Sequence, residues 1–110
     1  MRILARILAA PLIALSVIGS TSGGQGARHT VSITIEAMQF HPQELTVQRG
    51  DRVVWVNKDL FPHTATAVNK AFDSHSIAAN ASWSYVARKS GEYAYGCTFH
   101  PTMKGKLIVR

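Results

Sequence analysis

Apolar and polar positions alternate with a period of two over much of the chain. Val31, Ile33 and Ile35 alternate with polar neighbours, which is typical of a half-buried β-strand. Alternating or β-branched and aromatic runs predict further strands over residues 44–48, 52–56, 63–68, 83–86, 93–97 and 106–109. No long helical periodicity appears after residue 28. Short strands separated by turn residues predict an all-β domain built as an antiparallel β-sandwich.

The segments between these strands carry turn and loop signals. Arg49-Gly50-Asp51 separates two predicted strands, and Arg88-Lys89-Ser90-Gly91 separates another two. Residues 69–80 have no clear period, and we expect them to form an irregular loop. The 110 residues are enough for one domain with its own hydrophobic core.

The N-terminal segment differs from the rest of the chain. Arg2 and Arg6 precede an apolar run from Ile7 to Ile18, and small residues follow from Gly19 to Gly24. This order is typical of a secretory signal peptide, and the run is short for a membrane-spanning helix. We therefore expect residues 1–27 to be a signal peptide and leader, and an uncleaved N-terminal anchor is the alternative; no single cleavage site stands out between about residues 19 and 27. The mature domain, residues 28–110, would be periplasmic or secreted and would have no membrane span.

The charge of the predicted mature domain is modest. The chain has 12 basic and six acidic residues, so loss of Arg2 and Arg6 leaves a net charge of +4. These basic residues are scattered, whereas a nucleic-acid-binding protein concentrates them in a stripe. The charge therefore indicates no nucleic-acid partner and is compatible with steering toward an acidic protein.

The most informative segment is Cys97-Thr98-Phe99-His100-Pro101-Thr102-Met103. It places a thiol, an imidazole and a thioether at intervals of three residues, directly after a predicted strand. Cys97 is the single cysteine, so an intrachain disulfide is excluded. Thiolate and thioether are soft ligands that favour copper, and two histidines, one cysteine and a weak methionine make up a blue-copper site. The second histidine has to come from elsewhere.

His63 is the best candidate for that second histidine. It follows the predicted strand 52–56 and a loop, and Pro62 restricts the backbone just before it. The remaining histidines match no ligand pattern, and we expect them to be solvated on the surface: His29, His41 and His75. The ligand set predicted from the residues is His63, Cys97, His100 and Met103, around one copper ion.

Other chemistry fits these residues less well. Structural zinc sites use cysteine and histidine but not methionine, and covalent haem attachment needs two cysteines. A nucleophilic Cys97–His100 pair would leave Met103 without a role, and nothing nearby suggests an oxyanion hole. We therefore do not expect an enzyme.

Residues 31–110 resemble the cupredoxins, the group of plastocyanin, pseudoazurin and amicyanin, and are most similar to the amicyanins. Two stretches carry the resemblance, one over 42–57 continuing to Pro62-His63-Thr64, the other over 91–105. The resemblance implies a Greek-key β-sandwich of about eight strands and supports the same four ligands. It also implies that Asn57 ties the His63 loop to the cysteine segment by hydrogen bonds.

The resemblance further implies electron transfer at an exposed apolar patch. That patch would consist of Phe99, Pro101, Phe61 and Pro62, around the edge of His100. Amicyanins commonly carry proline at the position of Phe99 and an aromatic at that of Thr102, so the rim of the patch differs here.

The resemblance implies a monomer that exchanges single electrons with a donor and an acceptor protein. An amine dehydrogenase and a c-type cytochrome are the partners it suggests. Two alternatives stay open: a copper carrier or buffer with the same site and no redox partner, and a protein-binding domain that uses copper as a structural clamp.

Overall fold

The computed structural model describes residues 28–110, which form eight β-strands. The predicted signal peptide and leader lie outside these residues. No helix of the length and apolar character needed to cross a bilayer occurs between residues 28 and 110. The strands are β1 (Thr30–Glu36), β2 (Gln39–His41), β3 (Glu44–Val47), β4 (Arg52–Asn57), β5 (Thr66–Ala67), β6 (Ser82–Val86), β7 (Gly91–Cys97) and β8 (His100–Val109).

The strands form two four-stranded sheets, in the orders β2-β1-β4-β6 and β3-β8-β7-β5. The all-β sandwich of about eight strands predicted from the sequence is confirmed. Each sheet nevertheless contains one parallel pair, β1 with β4 and β3 with β8, so both sheets are mixed and not purely antiparallel. Parallel neighbours require a crossover between the sheets, and period-two alternation does not reveal this.

The alternation of apolar and polar residues along the strands explains which side chains form the hydrophobic core. Ile33 and Ile35 of β1 and Val53 and Trp55 of β4 are buried from one sheet. Tyr93 and Tyr95 of β7 and Leu107 and Val109 of β8 are buried from the other. Successive side chains of a strand point to opposite faces, so every second residue meets the facing sheet.

The structure differs from the prediction in three places. Of the predicted strand 63–68, Thr66–Ala67 alone forms a strand, whereas His63 makes an isolated bridge to Ile77. The last strand begins at His100 rather than at residue 106, because the ligand segment itself pairs with the end of β7. The short strand β2 was not predicted; it pairs with β1 across the two-residue turn Ala37–Met38. Residues 69–80 lie between named strands, as expected.

The end of β7 is shaped by Gly96. The β7–β8 register shifts between Gly96, which is opposite Lys104, and Cys97, which is opposite His100; this is a β-bulge or irregularity at the end of the ladder. A β-carbon on Gly96 would lie 2.8 Å from the carbonyl oxygen of Met103, so no larger residue fits without movement of the backbone. Bulges commonly re-aim a side chain at the end of a strand. Here the irregularity lies directly before Cys97.

Tyr95 lies at the centre of the aromatic core. Its ring packs edge-on against Phe40 at 4.8 Å and against Trp55 at 5.5 Å between ring centroids. The side chain is 2% exposed, and its hydroxyl has no hydrogen-bond partner among the described residues. Burial penalises the phenolate and raises the pKa of Tyr95 to about 12, from 10.0.

This raised pKa predicts a loss of stability in alkali. Between pH 10 and 12 the unfolded chain loses the Tyr95 proton while the folded chain keeps it, so unfolding becomes more favourable. The contribution is fully present below pH 10, and roughly 2 to 3 kcal/mol should be lost by pH 12. Urea unfolding of Tyr95→Phe across this range should lack this loss of stability, because phenylalanine has no hydroxyl group to titrate. A constant stability difference between the two proteins from pH 8 to pH 12 would contradict the prediction.

Candidate metal centre

Three candidate ligand side chains meet at one end of the sandwich. A nitrogen of His63, the sulfur of Cys97 and a nitrogen of His100 all lie within 4.8 Å of one another. The Cys97 Sγ atom is 3.7 Å from His63 Nδ1 and 3.5 Å from His100 Nδ1. His63 and Cys97 are buried, and His100 is partly exposed. Among residues 28–110 this is the single group of three such side chains.

These spacings fit a metal ion between the ligand atoms. Typical bonds of about 2.0 Å to nitrogen and 2.3 Å to sulfur place two ligand atoms about 3.5 to 3.7 Å apart, for angles from tetrahedral to trigonal. Both sulfur–nitrogen distances lie in that range. A thiolate with two imidazoles is also a ligand set that copper accepts in both oxidation states. The residues present therefore fit a copper ion.

Met103 completes the predicted set from β8. It is 2% exposed, although both neighbours in the chain, Thr102 and Lys104, are exposed. Cys97 and Met103 line the same surface recess. Met103 is thus held inside the protein next to the cysteine, where a thioether can act as a weak further ligand.

Hydrogen bonds connect the His63 loop with the cysteine segment, and two of them involve backbone N–H groups. The backbone N–H of Thr64 donates to Cys97 Sγ at 3.3 Å, and the backbone N–H of Thr98 donates to Thr64 Oγ1 at 2.9 Å. The first bond stabilises negative charge on the sulfur. The second holds the loop after the cysteine against the loop after the histidine. Sequence reasoning did not identify Thr64 or Thr98, because neither residue has a ligand atom that would single it out.

The resemblance implied hydrogen bonds from Asn57 to the cysteine segment, but its side chain has different hydrogen-bond partners in the structure. Its side-chain amide donates to the carbonyl oxygens of Phe61, at 2.8 Å, and Ile77, at 2.9 Å, and its oxygen accepts the N–H of Asp59 at 2.9 Å. These bonds organise the loop that leads to His63 and tie it to the segment before β6. In the described hydrogen bonds it is Thr64, not Asn57, that contacts the cysteine segment.

Asp59 is a further residue that sequence reasoning missed. Its carboxylate lies 2.8 Å from His63 Nε2, on the opposite side of the ring from the sulfur, and accepts the backbone N–H groups of Ala37 and Met38. Burial by itself would raise the pKa of Asp59, but the hydrogen bonds from Met38, His63 and Ala37 outweigh it and lower the pKa. An acid four residues before a histidine was the available signal in the sequence.

Exposed apolar residues lie next to His63 and His100 in the sequence. The predicted residues Phe99, Phe61, Pro62 and Pro101 are all exposed, with 51% for Phe99 and 57% for Phe61. Leu60, which was not predicted, is 87% exposed, the largest fraction among the exposed large hydrophobic residues. His29, His41 and His75 are exposed and stand apart from the cluster, in agreement with the expectation of solvated histidines.

Comparison with known proteins agrees with this geometry. Residues 8–109 match the family described as Cupredoxin-like domain. Amicyanin-alpha from Methylorubrum extorquens is 30% identical over 112 residues, which cover 92% of this chain and 94% of that protein. Amicyanin from Paracoccus versutus is 32% identical over 84 residues, and the match covers 72% of this chain but 64%, slightly under two thirds, of that protein.

Solved structures give the same result at the level of the fold. An amicyanin variant in the Cu(I) form has a TM-score of 0.69 and 29% sequence identity, covering 74% of this chain and 82% of that one. A purple cupredoxin from Nitrosopumilus maritimus has a TM-score of 0.67 and 28% identity, covering 73% of this chain and 99% of that one. With its sandwich of two mixed sheets and its family match over most of its length, the chain belongs to the cupredoxin family.

Proposed function

We propose that this chain is an exported blue-copper protein that carries single electrons, with His63, Cys97, His100 and Met103 as the copper ligands. The observation that carries the proposal is the approach of two imidazole nitrogens, at 3.5 and 3.7 Å, to one buried sulfur. Membership of the cupredoxin family supports a single copper ion as the cofactor and a carrier of electrons rather than an enzyme. Copper bound there supplies a one-electron couple between Cu(II) and Cu(I).

The residues around the site favour rapid electron exchange because they hold the ligands in one arrangement. His63 is 0% exposed and bridges through its backbone to Ile77, and Cys97 is 3% exposed at the end of β7. Two loops are joined by the Thr64 and Thr98 hydrogen bonds. Ligands held in this way need little movement when the charge of the site changes, which lowers the barrier to electron transfer.

His100 is the proposed port for electrons. Its Nδ1 atom faces the sulfur, and the ring is partly exposed, so the Nε2 edge is directed away from the site. The exposed residues Leu60 and Phe61 lie in the loop before His63, and the exposed residues Phe99 and Pro101 are the chain neighbours of His100. Small apolar patches suit brief docking, because transient redox complexes bury little surface.

The proposed partners are a donor and an acceptor redox protein, for which an amine dehydrogenase and a c-type cytochrome are the candidates. The amicyanin relatives support this choice. A periplasmic location is proposed from the charged, apolar and small-residue order of residues 1–27. The scattered positive charge of the domain would accelerate encounters with an acidic partner.

The first prediction concerns the copper spectrum. The mature domain with one equivalent of Cu(II) should show an intense visible absorption from thiolate-to-copper charge transfer, which a reductant should bleach. His100→Gly and Cys97→Ser should each lose this native band, because each removes a ligand. Absorption titration of the purified domain measures all three proteins.

The matched control is His75→Gly, which removes an exposed histidine outside the cluster and should leave the band unchanged. An unchanged band in His100→Gly would remove His100 from the ligand set. A copper carrier is distinguished by exchange: if a mild chelator strips the copper within minutes, transport rather than electron transfer is the function.

The second prediction concerns the apolar patch. Leu60→Ser and Phe99→Ser should each slow electron self-exchange between oxidised and reduced copies by about tenfold, because docking loses apolar contact. NMR line broadening in mixtures of the two oxidation states measures this rate without any partner protein. The visible spectrum should stay the same, since neither side chain is a ligand.

Val68→Ser provides the matched control, because Val68 is 76% exposed but lies after β5, outside segments 60–62 and 99–101. Its self-exchange rate should equal that of the unmodified protein. If all three variants slow the reaction equally, the patch has no special role.

A further inference from the structure

The fold gathers basic residues that are scattered along the sequence. Of the 12 basic residues, all except Arg2 and Arg6 belong to the described part of the chain. Six of them are exposed at one end of the sandwich, which we call the basic end: Arg28, Arg49, Arg52, Arg88, Lys89 and Arg110.

Backbone hydrogen bonds between distant segments build the basic end. The N–H of Arg28 donates to the carbonyl oxygen of Gly50 at 3.1 Å, and the N–H of Arg49 donates to that of Arg110 at 2.9 Å. The N–H of Gly50 donates to the carbonyl oxygen of Ala87 at 2.7 Å, just after the end of β6. Four segments of the chain therefore meet here, and their exposed basic side chains share one surface.

The net positive charge of the domain is concentrated at the basic end. The segments that form it contain one carboxylate, Asp51, which is 4% exposed and accepts the N–H of Gln48 at 2.8 Å. Six basic side chains and one acidic side chain give this end a charge of +5, whereas the other described residues have four basic and five acidic side chains, a balance of −1. None of the six forms an ion pair with a carboxylate among residues 28–110.

The basic end lies opposite the metal centre. β7 runs from Gly91, at the basic end, to Cys97, and β8 runs back from His100 to Val109. The seven residues of β7 span about 20 Å. The basic end is therefore a surface separate from the candidate ligands and from the exposed apolar residues next to His63 and His100.

The composition of the basic end favours a lipid surface over a protein partner. The exposed large hydrophobic residues of the described chain all lie elsewhere: Met38, Leu60, Phe61, Val68 and Phe99. Protein interfaces usually have an apolar core from which lysine is depleted. Anionic lipid headgroups, in contrast, attract clusters of about four to eight basic side chains through charge alone.

The sequence before the domain points to the same partner. The described residues begin at Arg28, at the basic end, and the preceding residues 1–27 include the apolar run from Ile7 to Ile18. An apolar run of this kind enters the bilayer during export. We propose that the basic end binds the anionic headgroups of a phospholipid bilayer. In this orientation the copper ligands face away from the membrane, toward soluble partners.

The test measures binding of residues 28–110 to lipid vesicles by co-sedimentation. This domain holds every described strand and lacks the apolar run of residues 1–27, which would bind vesicles by itself. It should bind vesicles of phosphatidylglycerol mixed with phosphatidylcholine but not vesicles of phosphatidylcholine alone. Binding should weaken as salt is added, because salt screens exposed charges. Equal binding to both kinds of vesicle, or to neither, would overturn the proposal.

A triple variant tests whether the basic end is the surface that binds. Arg49→Gln, Arg88→Gln and Lys89→Gln together remove three exposed charges from it. Each basic side chain near an anionic bilayer strengthens binding about fivefold, so the triple variant should bind about 100-fold more weakly.

The matched control loses the same charge from exposed residues elsewhere, through Lys58→Gln, Lys70→Gln and Lys104→Gln. It should keep most of the affinity, because these side chains lie away from the bilayer. Equal weakening in the two triple variants would show that total charge, rather than the basic end, attracts the lipid, and would contradict the proposal.

A second readout locates the contact on the unmodified protein, so it holds even if a triple variant fails to fold. Lipids with a spin label on the headgroup broaden the NMR signals of nearby amides. Signals of residues 49–51 and 88–90 should broaden in the copper-free domain, and those of residues 60–61 and 99–100 should not. The reverse pattern would place the apolar residues on the membrane and overturn the proposed orientation.

The outcomes also separate a lipid partner from an acidic protein. Binding to poly-L-glutamate without binding to anionic vesicles would assign the basic end to an acidic protein and refute a role in membrane binding. This inference goes beyond the proposed function and does not depend on it. A missing blue band would overturn the copper site and leave the vesicle result standing, and the converse also holds.

Discussion

The site depends on the meeting of two separate loops around one sulfur atom. Cys97 ends β7, whereas His63 comes from the loop before β5, and β5 pairs with β7 in the same sheet. The N–H of Thr64 contacts the sulfur at 3.3 Å, and the N–H of Thr98 contacts the hydroxyl of Thr64 at 2.9 Å. Without this junction, the imidazole and the thiol would have no fixed relation. With it, the sulfur and nitrogen lie at the spacing a metal requires.

Two buried polar side chains at the site, Asn57 and His63, have hydrogen-bond partners. Asn57 and His63 are both 0% exposed, yet the Asn57 amide has two carbonyl acceptors and the His63 ring has Asp59. A buried polar group without a partner costs about 1 to 3 kcal/mol, whereas a satisfied group costs little. His63 and Asn57 are therefore buried at little cost. Burial lowers the local dielectric constant and strengthens the electrostatic interactions of the Cys97 sulfur, which is 3% exposed.

The two histidines of the site have different environments, since His63 is buried and His100 is partly exposed. His63 is buried against Asp59 and the Ala37–Met38 turn, while His100 is partly exposed among apolar loop residues. The inner side resists rearrangement, and the outer side gives a partner access to the ring edge. A rigid interior combined with an accessible edge is what a carrier of single electrons needs, since it must react quickly without releasing its metal.

The sequence by itself determined the features that depend on neighbouring residues. Alternation in residues 31–35 and 52–56 identified β1 and β4, and the spacing of Cys97, His100 and Met103 indicated a candidate set of metal ligands on one short segment. The tertiary structure alone decided the parallel pairings, the limited strand at 63–68 and the partners of Asn57 and Asp59. Asp59 contacts Ala37 from 22 residues away, and local pattern carries no information about such contacts. They form only when the packed sheets bring distant loops together.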